Sequence, residues 1–448
     1  MKKLSIFLLL ACLGMRAQET KKSYSFTLQQ AIEHALQYNY SAKNSSLDIE
    51  AAKKKKWETT AAGLPQINAG LDYTNNFQLQ TQAVTGNAFN PDGDPNQVST
   101  FAFGTKHSML ARSTLSQLIF DGSYIVALQA SKTYLAFYEN SKKKTDLEVR
   151  EMIITSYGNV LLAEENISIL EKNKATIENS LFETEQTFKN GLIEEENVEQ
   201  LKITLSTIKS SLNYTKRLKD ISSNMLKINL GIELEDGLSL TDKLENLTDS
   251  NLDLALTAAS FDVNSNVDYT LSTNFVEQRK LEMKLEKSKF LPSLSANLNF
   301  GYNAFGNQFE FFTTDQKWFN YSNLGVGLNV PIFSSFGKNA KVQQSKIALE
   351  QAQTQLTETE QRLKLQYQNA KSDYAYSIEQ YFSSKENLSL AERIEKKQQV
   401  KFTEGISTSF EFTDAQRQLY SAQQSYLQSM VDVISRKAAL EKAIGKTN

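Results

Sequence analysis

Cysteine, histidine and proline are scarce in this chain, and each scarcity removes a class of function. One cysteine and two histidines in 448 residues leave no ligand set for a transition-metal centre, and His34 and His107 stand far apart in unlike settings. No serine or carboxylate pair sits in a nucleophile–base setting, so neither enzyme chemistry nor a cofactor is expected. A glycine-rich loop followed by Lys-Ser or Lys-Thr is missing too, which excludes a nucleotide-driven motor. Basic residues number 49 against 51 acidic ones and form no stripe, so nucleic acid is not an expected partner. Past the N-terminus no apolar run reaches the roughly 18 to 20 residues that a spanning helix needs. If the chain enters a membrane, it does so through strands. Pro65, Pro91, Pro95, Pro292 and Pro331 all lie beside strands or in one loop, which leaves the rest free to form uninterrupted helices.

The N-terminus has the form of a signal peptide, residues 1–17: Lys2-Lys3, an apolar run from Leu4 to Leu13, then Arg16-Ala17-Gln18 as the cleavage site. Leu9-Leu10-Ala11-Cys12 would permit lipidation of Cys12, but the apolar run would then be short, and cleavage near Ala17 is preferred. The mature chain then has no disulfide and no thiol chemistry. Losing Lys2, Lys3 and Arg16 takes the formal charge from −2 to −5.

Two stretches alternate with the period of a strand. Leu294, Ala296, Leu298, Phe300 and Tyr302 face one way, with Ser295, Asn297, Asn299 and Gly301 opposite; Leu324, Val326, Leu328, Val330 and Ile332 repeat the pattern. A long apolar series over a small, polar face suits a membrane barrel strand, though a soluble half-buried hairpin shows the same period. An earlier copy follows Leu64-Pro65, as the later one follows Leu291-Pro292: Ile67, Ala69, Leu71 and Tyr73, then a weaker partner from Met109 to Phe120. Between these two, residues 75–107 read as a polar loop without periodicity. Phe305, Phe309, Phe311, Phe312, Trp318, Phe319 and Tyr321 form either an interfacial girdle or a loop's own core, with the 318–321 stretch the better girdle candidate.

The remainder reads as helix. One helix runs from Thr27 to about Ala62, and a long one starts at Asp121-Gly122 and continues to about Lys189. Leu147, Ile154 and Leu161 recur every seven residues, and Leu201, Leu205, Ile208 and Leu212 step by four, three and four, the seam of coiled-coil-like packing. About 65 helical residues extend on the order of 100 Å. A single offset of 214 aligns Leu128–Lys132 with Val342–Lys346, Phe188–Gly191 with Phe402–Gly405, and Met225–Gly231 with Ala439–Gly445, which argues for internal duplication. The domains expected are a first repeat 18–231, an insertion 232–271 and a second repeat 272–448.

Four strands per chain cannot close a barrel, since such barrels begin at about eight. Open edges in lipid leave backbone groups unpaired at several kcal/mol each, so strands must come from several chains. A dimer of eight strands and a trimer of twelve both satisfy this. An eight-stranded barrel would be filled by side chains, so only a conducting pore would favour three, and the residues alone leave both open.

The order of helix, Leu-Pro, strand pair, Phe-x-x-Gly turn and Leu-x-x-x-hydrophobic-Gly ending, present twice, resembles the TolC-like outer-membrane efflux factor family. Leu28-x-x-Ala31-Ile32-x-x-Ala35-Leu36-x-x-Asn39 is similar to that family's opening helix, with Tyr40 where proline is common. The resemblance implies a mixed α/β membrane protein and a homotrimer. Its 12-stranded outer-membrane β-barrel, four strands per protomer, continues into a periplasmic α-helical coiled-coil tunnel. It also implies a passive exit duct of a tripartite efflux or type I secretion system, partnered by a periplasmic adaptor and an inner-membrane pump. By resemblance the tips Gly191-Leu192 and Gly405-Ile406 contact the adaptor; from the residues alone they are glycine turns between antiparallel helices.

Glu411 and Asp414 lie three apart on one helix face, where the family places acids that ring the pore entrance. Asn197 holds the position matching Glu411 in the first repeat. Ser407 replaces an arginine that helps lock the entrance in the best-known member. Taken alone, Thr408-x-x-Glu411 is a capping box and Asp414 a solvated surface residue. The alternative function is a periplasmic coiled-coil adaptor, which would carry one helical hairpin flanked by soluble β-domains.

Overall fold

The computed structural model describes residues 22–86, 91–92, 94–258 and 260–445, so the leader 1–17 and Cys12 lie outside the described residues. The first half of the chain runs β1 (Ser23–Phe26), α1 (Leu28–Tyr38), α2 (Tyr40–Ala61), β2 (Gln66–Asn75), β3 (Thr81–Thr85), β4 (Val98–Ala102), β5 (His107–Asp121), α3 (Gly122–Lys189) and α4 (Glu195–Leu230). The second runs β6 (Gly237–Leu240), α5 (Leu244–Ser250), two short 3-10 turns, α6 (Val267–Ser288), β7 (Ser293–Gly306), β8 (Trp318–Asn329), α7 (Gly337–Thr403) and α8 (Ser409–Ala443). Two compact units result, one from the described parts of Met1–Ile49, Tyr138–Thr273 and Gln355–Asn448, the other from those of Glu50–Phe137 and Asn274–Thr354.

The second unit is organised by an antiparallel sheet in the order β2-β5-β7-β8. Register puts Ile67, Leu115, Leu298 and Leu324 in one row and keeps the apolar series on a single face. The opposite face is polar and internally bonded. Thr114 donates to Asn299 Oδ1 (2.8 Å), Asn299 donates to Asn323 Oδ1 (2.9 Å), and Arg112 pairs with Asp72 at 3.2 Å. Most of the apolar face is exposed, with Ile67, Leu324, Val326 and Leu328 each more than 60% accessible. That is the inverse of a soluble half-buried hairpin, whose apolar side would be covered.

Several expectations are corrected here. The helix predicted from Thr27 to Ala62 is two helices, because Asn39 leaves helical geometry (ψ 140) and uses its side-chain oxygen to cap Ser41 and Ala42. The predicted loop 75–107 contains the β3–β4 hairpin, five residues on each side, too short for its period to show against flanking Gly, Pro and Asp. β8 stops at Asn329 rather than Ile332, since Pro331 has no amide to give a ladder. The aromatics divide: Phe311 is buried with Met109 and Ala304 and meets Tyr73 and Phe309 edge-on. Trp318 lies in the apolar row with Ala304, whereas Phe319 and Tyr321 are in the polar rows with Asn303 and Gly301.

The first unit holds a large core in which α1, α3, α4, α7 and α8 meet, with Leu147, Ile154 and Leu161 buried. β1 pairs in parallel with β6, a strand pair the sequence pattern did not reveal because each run has only four residues. Tyr157 fastens this pair: its hydroxyl lies 3.0 Å from both the Phe26 carbonyl and the Asp242 carboxylate. Tyr374 does the same for the 3-10 region, donating to Asn251 O (2.7 Å) and accepting from Asp253 N (2.9 Å). Burial pushes both phenols above the ordinary tyrosine range, so they stay protonated donors.

Two side-chain bridges recur. Asn39 donates to Asn229 O (2.6 Å) while Asn266 donates to Ala443 O (3.0 Å), and each then caps the helix after it. Gly231 and Gly445 follow those carbonyls with positive φ, packed so that an added Cβ would lie 2.2 Å from Tyr38 O and 2.6 Å from Ser265 O. Left-handed backbone costs a non-glycine residue about 1–2 kcal/mol, and a clash with backbone oxygen adds to it. Gly231→Ala should therefore cost more than about 2 kcal/mol and lower the thermal midpoint by several degrees. Gly191→Ala, with nothing within 4 Å, should cost only the conformational strain. Melting both variants in detergent compares them, and equal shifts would refute the packing argument.

Candidate functional site

The two helical turns at the ends of α3 and α7 are built alike. Gly191 (φ 75) and Gly405 (φ 71) reverse the chain, and the amides of Leu192 and Ile406 close back onto Thr187 O (3.2 Å) and Lys401 O (2.8 Å). Leu192 and Ile406 are then 74% and 76% exposed. Beneath them Phe412 is fully buried with Ile177 and Leu201, and its ring stacks on Phe402 at 5.1 Å. This core places the starts of α4 and α8 side by side.

Asn197 links them directly, its Oδ1 accepting from the Ser409 amide at 3.2 Å. The capping box read from Thr408-x-x-Glu411 is formed: Thr408 Oγ1 accepts from Glu411 N, and the Glu411 carboxylate accepts from Thr408 N at 3.0 Å. Ser407 donates to the same carboxylate at 2.7 Å. The bonds to the carboxylate all fall on Oε2, and no described residue bonds Oε1. Asp414 is not a free carboxylate, because Arg417 pairs with Oδ1 and Gln418 donates to Oδ2 at 2.7 Å. Its surroundings form a cleft of about 290 Å³ between α4 and α8, lined by Ile203, Thr207, Phe410, Arg417 and Tyr420.

Sequence reasoning missed several contacts around the tips. Phe412 and Phe402 carry the tip core, and both are aromatic beside a glycine turn, a signal that was present. Arg417 stands three residues beyond Asp414, an ordinary helix-pair spacing. Gln416 donates to Glu395 from another helix, and no local pattern reports such a contact. Burial raises the Glu395 carboxyl above its ordinary range. Among the described residues no cluster of histidine, cysteine and acids could hold a metal ion, and no helix is long and apolar enough to cross a membrane.

Residues 276–446 match the family model described as outer membrane efflux protein. Comparison with curated protein sequences gives no match. Among solved structures the fold is similar to CusC, studied for folding and transmembrane channel formation, at a TM-score of 0.73 and 15% identity over 96% of each chain. It is similar to the Campylobacter jejuni CmeC outer membrane channel at a TM-score of 0.72 and 18% identity, covering 97% of this chain and 91% of that one. The Vibrio cholerae outer membrane protein VceC gives 0.70 and 15%, covering 94% and 96%. The fold is thus that of TolC-like outer-membrane channel proteins. Residues 276–446 thus carry an outer membrane efflux protein domain.

Glu411 also sets a pH dependence. Its carboxyl is held below the ordinary range, first by the Ser407 hydroxyl and then by the Thr408 amide. A folded value below the unfolded one gives stability that is present above the ordinary glutamate pKa of about 4.3 and is lost as pH falls through the folded value. Amide exchange at the start of α8 should quicken below about pH 4, and Glu411→Ala should abolish that step. Peptide-resolved hydrogen exchange reads it, and a step unchanged in the variant would assign the pH response to another group.

Proposed function

We propose that this chain is one protomer of a homotrimeric outer-membrane exit duct that passively conducts substrates from an inner-membrane pump, through a periplasmic adaptor, across periplasm and outer membrane. The observation that carries the reading is the pair of open edges. Among the described residues β2 pairs only with β5, and β8 only with β7, although the sheet's apolar face suits lipid. Three copies of four strands make a twelve-stranded barrel with no edge. A second unpartnered surface points the same way: Tyr214, Leu218, Ile221, Met225 and Ile228 form a heptad stripe on α4, each more than 40% exposed. A neighbouring protomer's helix would cover it.

Duplication gives the chain its two hairpins and two strand pairs, with 18–231 and 272–448 as copies and 232–271 inserted. The recurring asparagine bridges and the equal 22-residue lengths of α2 and α6 support it. The hairpin tips offer exposed Leu192 and Ile406 to the adaptor. Mass in detergent, corrected for bound detergent, should equal three chains, and a monomer that inserts and conducts would end this architecture.

Glu411 and Asp414 are assigned to the pore entrance, with Ser407 and Asn197 as their supports. Threefold symmetry would gather the Glu411 carboxylates, each with Oε1 uncommitted, while Arg417 offsets Asp414. Such a ring favours cations and binds multivalent ones. Glu411→Gln with Asp414→Asn should weaken cation selectivity and block by a trivalent cation in planar bilayers. Unchanged selectivity with a less stable protein would leave these carboxylates a purely structural role.

A further inference from the structure

We propose that the helix ends beside the four-stranded sheet form a collar that binds the headgroups of anionic phospholipids. The proposal rests on the outer-membrane reading of that sheet, and its observations are separate from those at the hairpin tips. Gln66, Asp121, Ser293 and Asn329 lie at one end of the sheet, so all four strands meet their helices there. Within about three helical turns of that end, residues 53–65, 121–131, 282–292 and 330–341 hold nine lysines against four carboxylates, although the whole chain is slightly acidic.

The four carboxylates are already engaged. Glu58 pairs with Lys55 (2.8 Å), Glu286 with Lys289 (2.6 Å) and Glu282 with Arg279 (2.7 Å), while Asp121 accepts from the amides of Ser123 and Tyr124. Among the described residues Lys54, Lys56, Lys284, Lys287 and Lys341 have no carboxylate within ion-pair distance. Exposed aromatics share the level: Trp57 is 63% accessible, Phe333 76% and Phe336 74%. Lys338 donates to Lys289 O (2.7 Å) and lies over the Phe290 ring, which fixes one cation beside an exposed aromatic.

This pairing selects the ligand. Aromatics next to an exposed apolar sheet face settle at the boundary of the hydrocarbon, and lysine stems beside them carry the ammonium groups outward to the phosphate level. A soluble anion would gain from the cations alone and leave the aromatics in water. The collar therefore fits an anionic glycerophospholipid, whose phosphate meets lysine and whose chains lie against the strands.

The test uses the full-length protein in uncharged detergent with equal phosphatidylglycerol and phosphatidylcholine, bound lipid being counted by native mass spectrometry. Wild type should retain about tenfold more phosphatidylglycerol, a preference that falls as salt rises from about 0.1 to about 1 M. Lys54→Gln, Lys56→Gln, Lys287→Gln and Lys341→Gln combined should bring it below about twofold, and arginine at the same positions should keep it. Equal retention, survival of the preference in the glutamine variant, or displacement of lipid by inorganic phosphate would each overturn the collar. Conductance in phosphatidylcholine bilayers separates the two readings: channels without lipid preference sink the collar alone, whereas no insertion by wild type sinks the duct reading as well.

Discussion

Backbone amides and carbonyls along the outer sides of β2 and β8 have no strand to bond among the described residues. In water this costs little, because solvent bonds them; in hydrocarbon each such group costs several kcal/mol. The exposed apolar face of the same sheet makes water the worse solvent for its side chains. One face asks for lipid and two edges forbid lipid unless another chain covers them. The proposed trimer would meet both demands, and β2 at 10 residues and β8 at 12 have about the length that tilted membrane strands require.

The helical unit meets a different demand, that of holding very long helices in register. α3 has 68 residues and α7 has 67, neither with an internal proline. Heptad packing alone permits slippage, since each step of seven looks like the last. Polar bonds at fixed points prevent it. Tyr157 and Tyr374 each reach a segment more than 80 residues away, and Asn39 and Asn266 each tie a helix start to a distant helix end. These groups are buried, so a slip would leave donors without acceptors.

Long periodic segments were legible in the sequence, and short or distant ones were not. Ten or more residues of strict alternation identify β7, and repeated sevens identify the seam of α3. β1 and β6 have four residues each and acquire meaning only through each other, at a separation of 214 residues. The break at Asn39 escaped because no proline or glycine marks it; the side chain's capping geometry ends the helix. At the tips, spacing located the turns and the capping box, while the Gln416 to Glu395 contact depends on how two helices pack.

The tip shows why capping and charge display need not compete. The capping carboxylate of Glu411 spends one oxygen on the Ser407 hydroxyl and the Thr408 amide, and these donors favour its charged form. Its other oxygen remains available to solvent or to a cation. Asn197, at the matching place in the first repeat, spends its oxygen on the Ser409 amide and brings no charge. Under the proposed duplication, two equivalent positions divide the work: a neutral amide joins the hairpins and an acid caps its own helix. Of these two matched positions, only Glu411 would bring charge to the entrance in the proposed trimer. Ser407 and Thr408 would then govern it by fixing where each Glu411 carboxylate can point.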